Sequence, residues 1–106
     1  MDRVKFIEGM NSSLKYTEEE RVKILDESLQ KVSHHTKSIV AMEEFAELTQ
    51  QISKQLRGEG NQCGLLEEMA DAYLCLYNLG KIYNISDELM WKAIDVKLQR
   101  EKERME

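Results

Sequence analysis

The sequence contains no proline, five glycines and two cysteines. A turn-rich β architecture reverses its chain with proline and glycine, so their scarcity argues against one. Cys63 and Cys75 stand twelve apart without a CxxC partner, which excludes a disulfide framework and a zinc site. That usage fits a reducing, cytoplasmic compartment. No apolar run reaches the roughly 18 residues of a membrane span. The first twenty residues carry several charges and no apolar core segment, so no secretory leader is expected. Basic charge is also short: 15 Lys and Arg stand against 20 Asp and Glu, a net charge of −5 with pI near 5.1. A protein that binds nucleic acid by counterion release is normally basic, so a nucleic-acid polymer is not the expected partner. An acidic protein can still handle a polyphosphate when metal ions lie between its carboxylates and the phosphates.

What remains is a charged, globular chain of 106 residues and 12.4 kDa, enough for one domain spanning 1–106. Its periodicity is helical. Met1 to Lys15 places Val4, Ile7, Met10 and Leu14 at helical spacing, interrupted by Gly9 and Asn11-Ser12-Ser13. Thr17-Glu18-Glu19-Glu20 reads as a capping box. The helix it opens turns Val22, Leu25, Leu29 and Val32 inward and ends near Ser33-His34-His35. From about Thr36 to Arg57, the residues Ile39, Met42, Phe45, Thr49, Ile52 and Leu56 form one stripe, which predicts the core face of a long helix. Gly58-Glu59-Gly60-Asn61 stops it. A further helix covers roughly Gln62 to Tyr83. After the Asn84-Ile85 turn, Ser86 is an N-cap for a last helix to about Arg104, with Asp87 and Glu88 in its first turn. The expectation is an all-α, four-to-five-helix bundle.

The stretch from Leu65 to Leu79 is apolar in nearly every direction, as in a buried helix. Yet Glu68 and Asp71 project from it together, one turn apart. Carboxylates near a core are costly unless paired or metal-bound. Glu44 and Glu47 repeat the i, i+3 spacing on the preceding helix, on a face well around from its apolar stripe, with Glu43 just beside. If the two helices pack antiparallel across the Gly58–Gly60 turn, four carboxylates face each other, and Mg²⁺ or Mn²⁺ suits such oxygen ligands. Lys97, Arg100 and Arg104, on the side of Leu89, Ala93 and Val96, would reach an anion held there.

Plainer readings stand beside this one. Glu43, Glu44 and Glu47 fit a solvated helix face, and Glu67 reads as a surface residue. Glu68 and Asp71 fit salt bridges to Lys or Arg, and the three cations fit a helix C-terminus. His34-His35 lacks any paired metal-ligand spacing, and Gly58 to Gly64 lacks the GK[ST] ending of a phosphate-binding loop.

Glu43-Glu44-x-x-Glu47, followed after twenty residues by Glu68-x-x-Asp71, resembles the EExxE…ExxD signature of the MazG-like, all-α nucleoside triphosphate pyrophosphohydrolases. The likeness extends over about Lys37 to Met105 and takes in Glu43 to Leu48, Leu66 to Asp71, Ile94 to Lys97 and Arg100 to Arg104. It implies that Glu44, Glu47, Glu68 and Asp71 bind Mg²⁺ and that Glu43 orients water or supports the ligands. It further implies that Lys54, Lys97, Arg100 and Arg104 contact phosphate. The Asn that many relatives carry in the last helix is absent here. The implied reaction is hydrolysis of a nucleoside triphosphate to a monophosphate and pyrophosphate, in a homodimer or homotetramer. The rival expectation is a non-catalytic helical interaction protein whose acid pairs are salt-bridged.

Overall fold

The computed structural model describes residues 3–106 and contains five helices: α1 (Arg3–Met10), α2 (Glu18–Lys31), α3 (His34–Leu56), α4 (Gln62–Ile82) and α5 (Asp87–Met105). Local sequence sets the starts of α2 to α5. Met1 and Asp2, the start of the first periodic stretch, lie outside the described residues. Among the described residues there is no strand, so the all-α expectation holds. Among the described residues, no helix is long and apolar enough to cross a membrane.

The starts of α2 to α5 are made by side chains that satisfy otherwise unbonded amides. Thr17 and Glu20 form the reciprocal capping box: the Thr17 amide donates to Glu20 Oε1 at 2.8 Å, and the Glu20 amide to Thr17 Oγ1 at 3.1 Å. Ser33 accepts from the Thr36 amide, so α3 begins at His34, earlier than the expected Thr36. Asn61 accepts from the Gly64 amide at 2.7 Å, and Ser86 from that of Leu89 at 3.1 Å.

Two helix ends close in the same way. Gly58, at φ 74°, lets the Glu59 amide reach back to the Lys54 carbonyl at 2.9 Å and its own amide to Gln55 at 3.1 Å. Asn84, at φ 58°, lets the Ile85 amide reach the Gly80 carbonyl at 2.8 Å. The first of these turns reverses the chain, and α3 and α4 pack as an antiparallel hairpin that holds most of the contact between elements.

The residues that make that hairpin are not the ones periodicity selects. The stripe from Ile39 to Leu56 lies largely in solvent, with Met42 65% and Leu56 85% exposed. The face that meets α4 carries Ala41, Glu44, Leu48 and Gln51, roughly a third of a turn away at the usual 3.6 residues per turn. Ala41, Ala72 and Cys75 are the buried apolar residues of the seam. Small side chains let two backbones approach, and the longer carboxylates then fill the space between them.

The other helices attach lightly. α1 touches α4. Tyr77 on α4 donates to Asp26 on α2 at 3.1 Å, and Lys37 on α3 donates to Ser28 at 2.7 Å. α5 leaves α4 through Asn84-Ile85 and turns Met90 and Ile94 toward Leu76 and Tyr77 across an open groove. The radius of gyration is 16.3 Å, against about 13 Å for a compact chain of this length. The accessible surface is 8714 Å², against about 6,100 Å² for a compact monomer of this mass. A single protomer is thus an open bundle, with Tyr73, Tyr83 and Trp91 exposed as well as the α3 stripe.

Candidate metal centre

The hairpin register assembles the site turn by turn. Gln51 lies opposite Gly64, Glu47 opposite Glu68, and Glu44 opposite Asp71. Side chains three or four apart share one face of a helix, so each acid pair points into the same seam. Glu44, Glu68 and Asp71 each offer an oxygen lying within 4.8 Å of the others. Glu47 is within hydrogen-bond reach of Glu68, and Glu44 within reach of Asp71.

Burial makes this crowd of like charges energetically tense. Glu68 is 4% exposed, Glu44 and Asp71 are half-buried, and Glu47 is exposed. Loss of water pushes the Glu44 carboxyl up to about 7, with its hydrogen bond to Asp71 and the charges of Asp71, Glu47 and Glu68 acting in the same direction. Burial likewise raises Glu68, helped by the charges of Glu47 and Asp71, its hydrogen bond to Glu47 and the charge of Glu67. The Cys75 thiol, at the inner end of the seam, is raised by burial and by Glu44 and Asp71, against a lowering by Lys37.

Two oxygens are left without a donor. Oε2 of Glu44 and Oε2 of Glu68 are buried, and no hydrogen-bond donor reaches either. Buried acceptors normally have a partner, and two orphaned oxygens in one acid cluster are what a cation would satisfy. The donor set is all carboxylate, which suits a hard ion such as Mg²⁺ or Mn²⁺. Ligand oxygens about 2.1 Å from one ion stand roughly 3–4 Å apart, so the cluster needs only a slight contraction to grip one. The residues present therefore fit a divalent cation.

Other expected site residues fall elsewhere. Glu43 is exposed beside the cluster, and Lys54 is exposed in the last turn of α3. Lys97, Arg100 and Arg104 lie in the exposed outer half of α5, where Arg104 pairs with Glu101 at 3.2 Å. Leu89 and Val96, expected inward beside them, are exposed too. Among the described residues, no ion pair joins Lys54 or the α5 cations to the acid cluster.

Glu67 corrects the sequence reading. It is 3% exposed rather than on the surface, and it is paired with Arg3 of α1. The same guanidinium stands 3.7 Å from Glu68 Oε1. A residue 64 positions away carries no spacing signal. The available clue was chemical: two adjacent glutamates on a helix apolar all round require a cation.

Compared with known protein families, with curated proteins and with solved structures, the chain matches none.

Proposed function

We propose that this protein is a divalent-cation-dependent nucleoside triphosphate pyrophosphohydrolase. It would cleave the α–β phosphoanhydride of a (d)NTP with water to give a (d)NMP and pyrophosphate, as a cytoplasmic enzyme that clears the nucleotide pool. The convergence of Glu44, Glu68 and Asp71 within 4.8 Å, with Glu47 against Glu68, carries the reading. The EExxE…ExxD resemblance supplies the reaction class.

In this reading Glu44, Glu47, Glu68 and Asp71 hold Mg²⁺ or Mn²⁺. The bound ion would neutralise phosphate charge and make an attacking water more acidic. Glu43, at the solvent edge, would orient that water. Lys54, Lys97, Arg100 and Arg104 would contact phosphate. Because the α5 cations lie away from their own acid cluster, a neighbouring protomer would deliver them. Assembly as a homodimer or homotetramer is supported by the surface excess of roughly 2,600 Å² over a compact monomer. Excess of that size is what obligate interfaces bury. The lack of a disulfide framework in the sequence, with two cysteines in all, is what the cytoplasmic part of the reading rests on.

A second reading has one observation in its favour. Arg3 pairs with Glu67 and approaches Glu68, as in a salt-bridged, non-catalytic scaffold. Incubation with mixed dNTPs and Mg²⁺, followed by ion chromatography, separates the two. Monophosphate with pyrophosphate supports the hydrolase; orthophosphate alone points to another phosphoanhydride reaction. No turnover, together with a melting temperature indifferent to Mg²⁺, leaves the scaffold.

A further inference from the structure

Arg3 lies outside the acid motif, yet its guanidinium is the one cation paired with the site among the described residues. Its Nε meets Oε1 of Glu67, and its Nη2 stands 3.7 Å from Oε1 of Glu68. Glu68 therefore offers Oε1 to Arg3, while its other oxygen, Oε2, is buried without a donor. The place Arg3 occupies is shaped for it. A Cβ added at Gly64 would lie 2.6 Å from Arg3 Nη1 and 2.9 Å from Gln51 Oε1, so an alanine there would push the guanidinium aside. The buried pair Glu67 and Glu68 would be expensive without this guanidinium.

The attachment that Arg3 provides is local. α1 contacts α4, and no residue of α1 is buried. A divalent ion between Glu44, Glu68 and Asp71 would bring two positive charges beside the guanidinium and draw Glu68 toward itself. Both effects weaken the hold of Arg3.

We propose that Arg3 is the built-in counter-cation of the acid cluster and competes with a divalent ion for Glu68, so that ion binding loosens α1 from α4. The proposal rests on the metal-centre reading above. Coupling is reciprocal: whatever the ion does to the docking of α1, the docking of α1 does to the affinity for the ion. Arg3 would thus set the ion concentration at which the site fills.

The probe is Mn²⁺ alone, titrated by calorimetry into the full chain, with hydrogen exchange followed at the amides of residues 3–10. Arg3→Gln, and independently Gly64→Ala, should lower the Mn²⁺ dissociation constant by roughly fivefold or more, as sizeable couplings do. Arg3→Lys, which keeps the charge, should fall between them and the parent chain. Mn²⁺ should speed exchange in α1 of the parent chain and leave it unchanged in Arg3→Gln. Unaltered or weaker Mn²⁺ binding in both variants, with α1 exchange indifferent to the ion, overturns the coupling and leaves the metal centre standing. No Mn²⁺ binding to the parent chain removes the metal centre and the coupling together. If Arg3→Gln does not fold, Gly64→Ala and the exchange of the parent chain still decide.

Discussion

Glu44 on α3 faces Asp71 on α4 across the hairpin, close enough for one carboxyl to donate to the other. One turn further along, Glu47 repeats the contact with Glu68. With Glu68 buried and Glu44 half-buried, the like charges of this register are costly. Either protons or a cation must relieve them, and the following outcomes tell which.

Glu44→Gln, Glu47→Gln, Glu68→Gln and Asp71→Asn should each lose most triphosphate hydrolysis, on the order of a hundredfold, while keeping full helicity by circular dichroism. Melting curves should show a smaller Mg²⁺-induced rise in each variant, because less ion binds the folded state. Without Mg²⁺, Glu44→Gln should melt at or above the parent, since repulsion with Asp71 is relieved. Unchanged turnover in Glu68→Gln would remove the metal assignment.

Metal-free stability should fall as pH rises from about 4.5 to about 7. Glu44 binds its proton more tightly in the folded chain, with the carboxyl raised from 4.5 to about 7, so the native state holds more protons across that window. The stabilisation is fully present below the unfolded value and is lost as pH passes through the folded one. Saturating Mg²⁺ should flatten or reverse this slope at the upper end. Chemical denaturation at half-unit pH intervals measures it; a metal-free stability that climbs steadily from pH 5 to 7 contradicts the burial of Glu44.

Light scattering at micromolar concentration should give a mass at a multiple of 12.4 kDa. Met42→Asp and Ile52→Asp should lower that mass without loss of α3, because both side chains are already exposed in the protomer, at 65% and 48%. Leu56→Asp, at the solvated end of the same stripe, should have less effect. If neither Met42→Asp nor Ile52→Asp changes the mass, the stripe is not the contact.

The two left-handed turns have opposite residues and should respond oppositely. Gly58→Ala should destabilise by about 1 kcal/mol, since a Cβ disfavours its φ of 74°. Asn84→Gly should stabilise by up to about 1 kcal/mol, because glycine relieves the strain at φ 58°. Thr17→Ala removes half of the capping box and should cost about 1 kcal/mol of α2. Urea melts followed by circular dichroism give all three values.

Much of the local structure can be read from neighbours in the chain. The Thr17–Glu20 box, the Ser86 cap and the Gly58 turn are decided within a few residues, so their recognition requires no tertiary information. The i, i+3 spacing of Glu44 with Glu47 and of Glu68 with Asp71 puts each pair on one helix face for the same reason. The face chosen for packing is different. α3 carries both an apolar stripe and an acid face, and either could meet α4 by periodicity alone. The tertiary structure chose the acid face: Ala41, Ala72 and Cys75 are small enough for close approach, and the turn at Gly58 sets the register that opposes carboxylate to carboxylate. That choice left Ile39, Met42 and Leu56 in solvent, buried Glu67, and turned Arg3 into its partner. A residue's spacing fixes only which neighbours it shares on its own helix; what lies across the seam depends on how two helices fit.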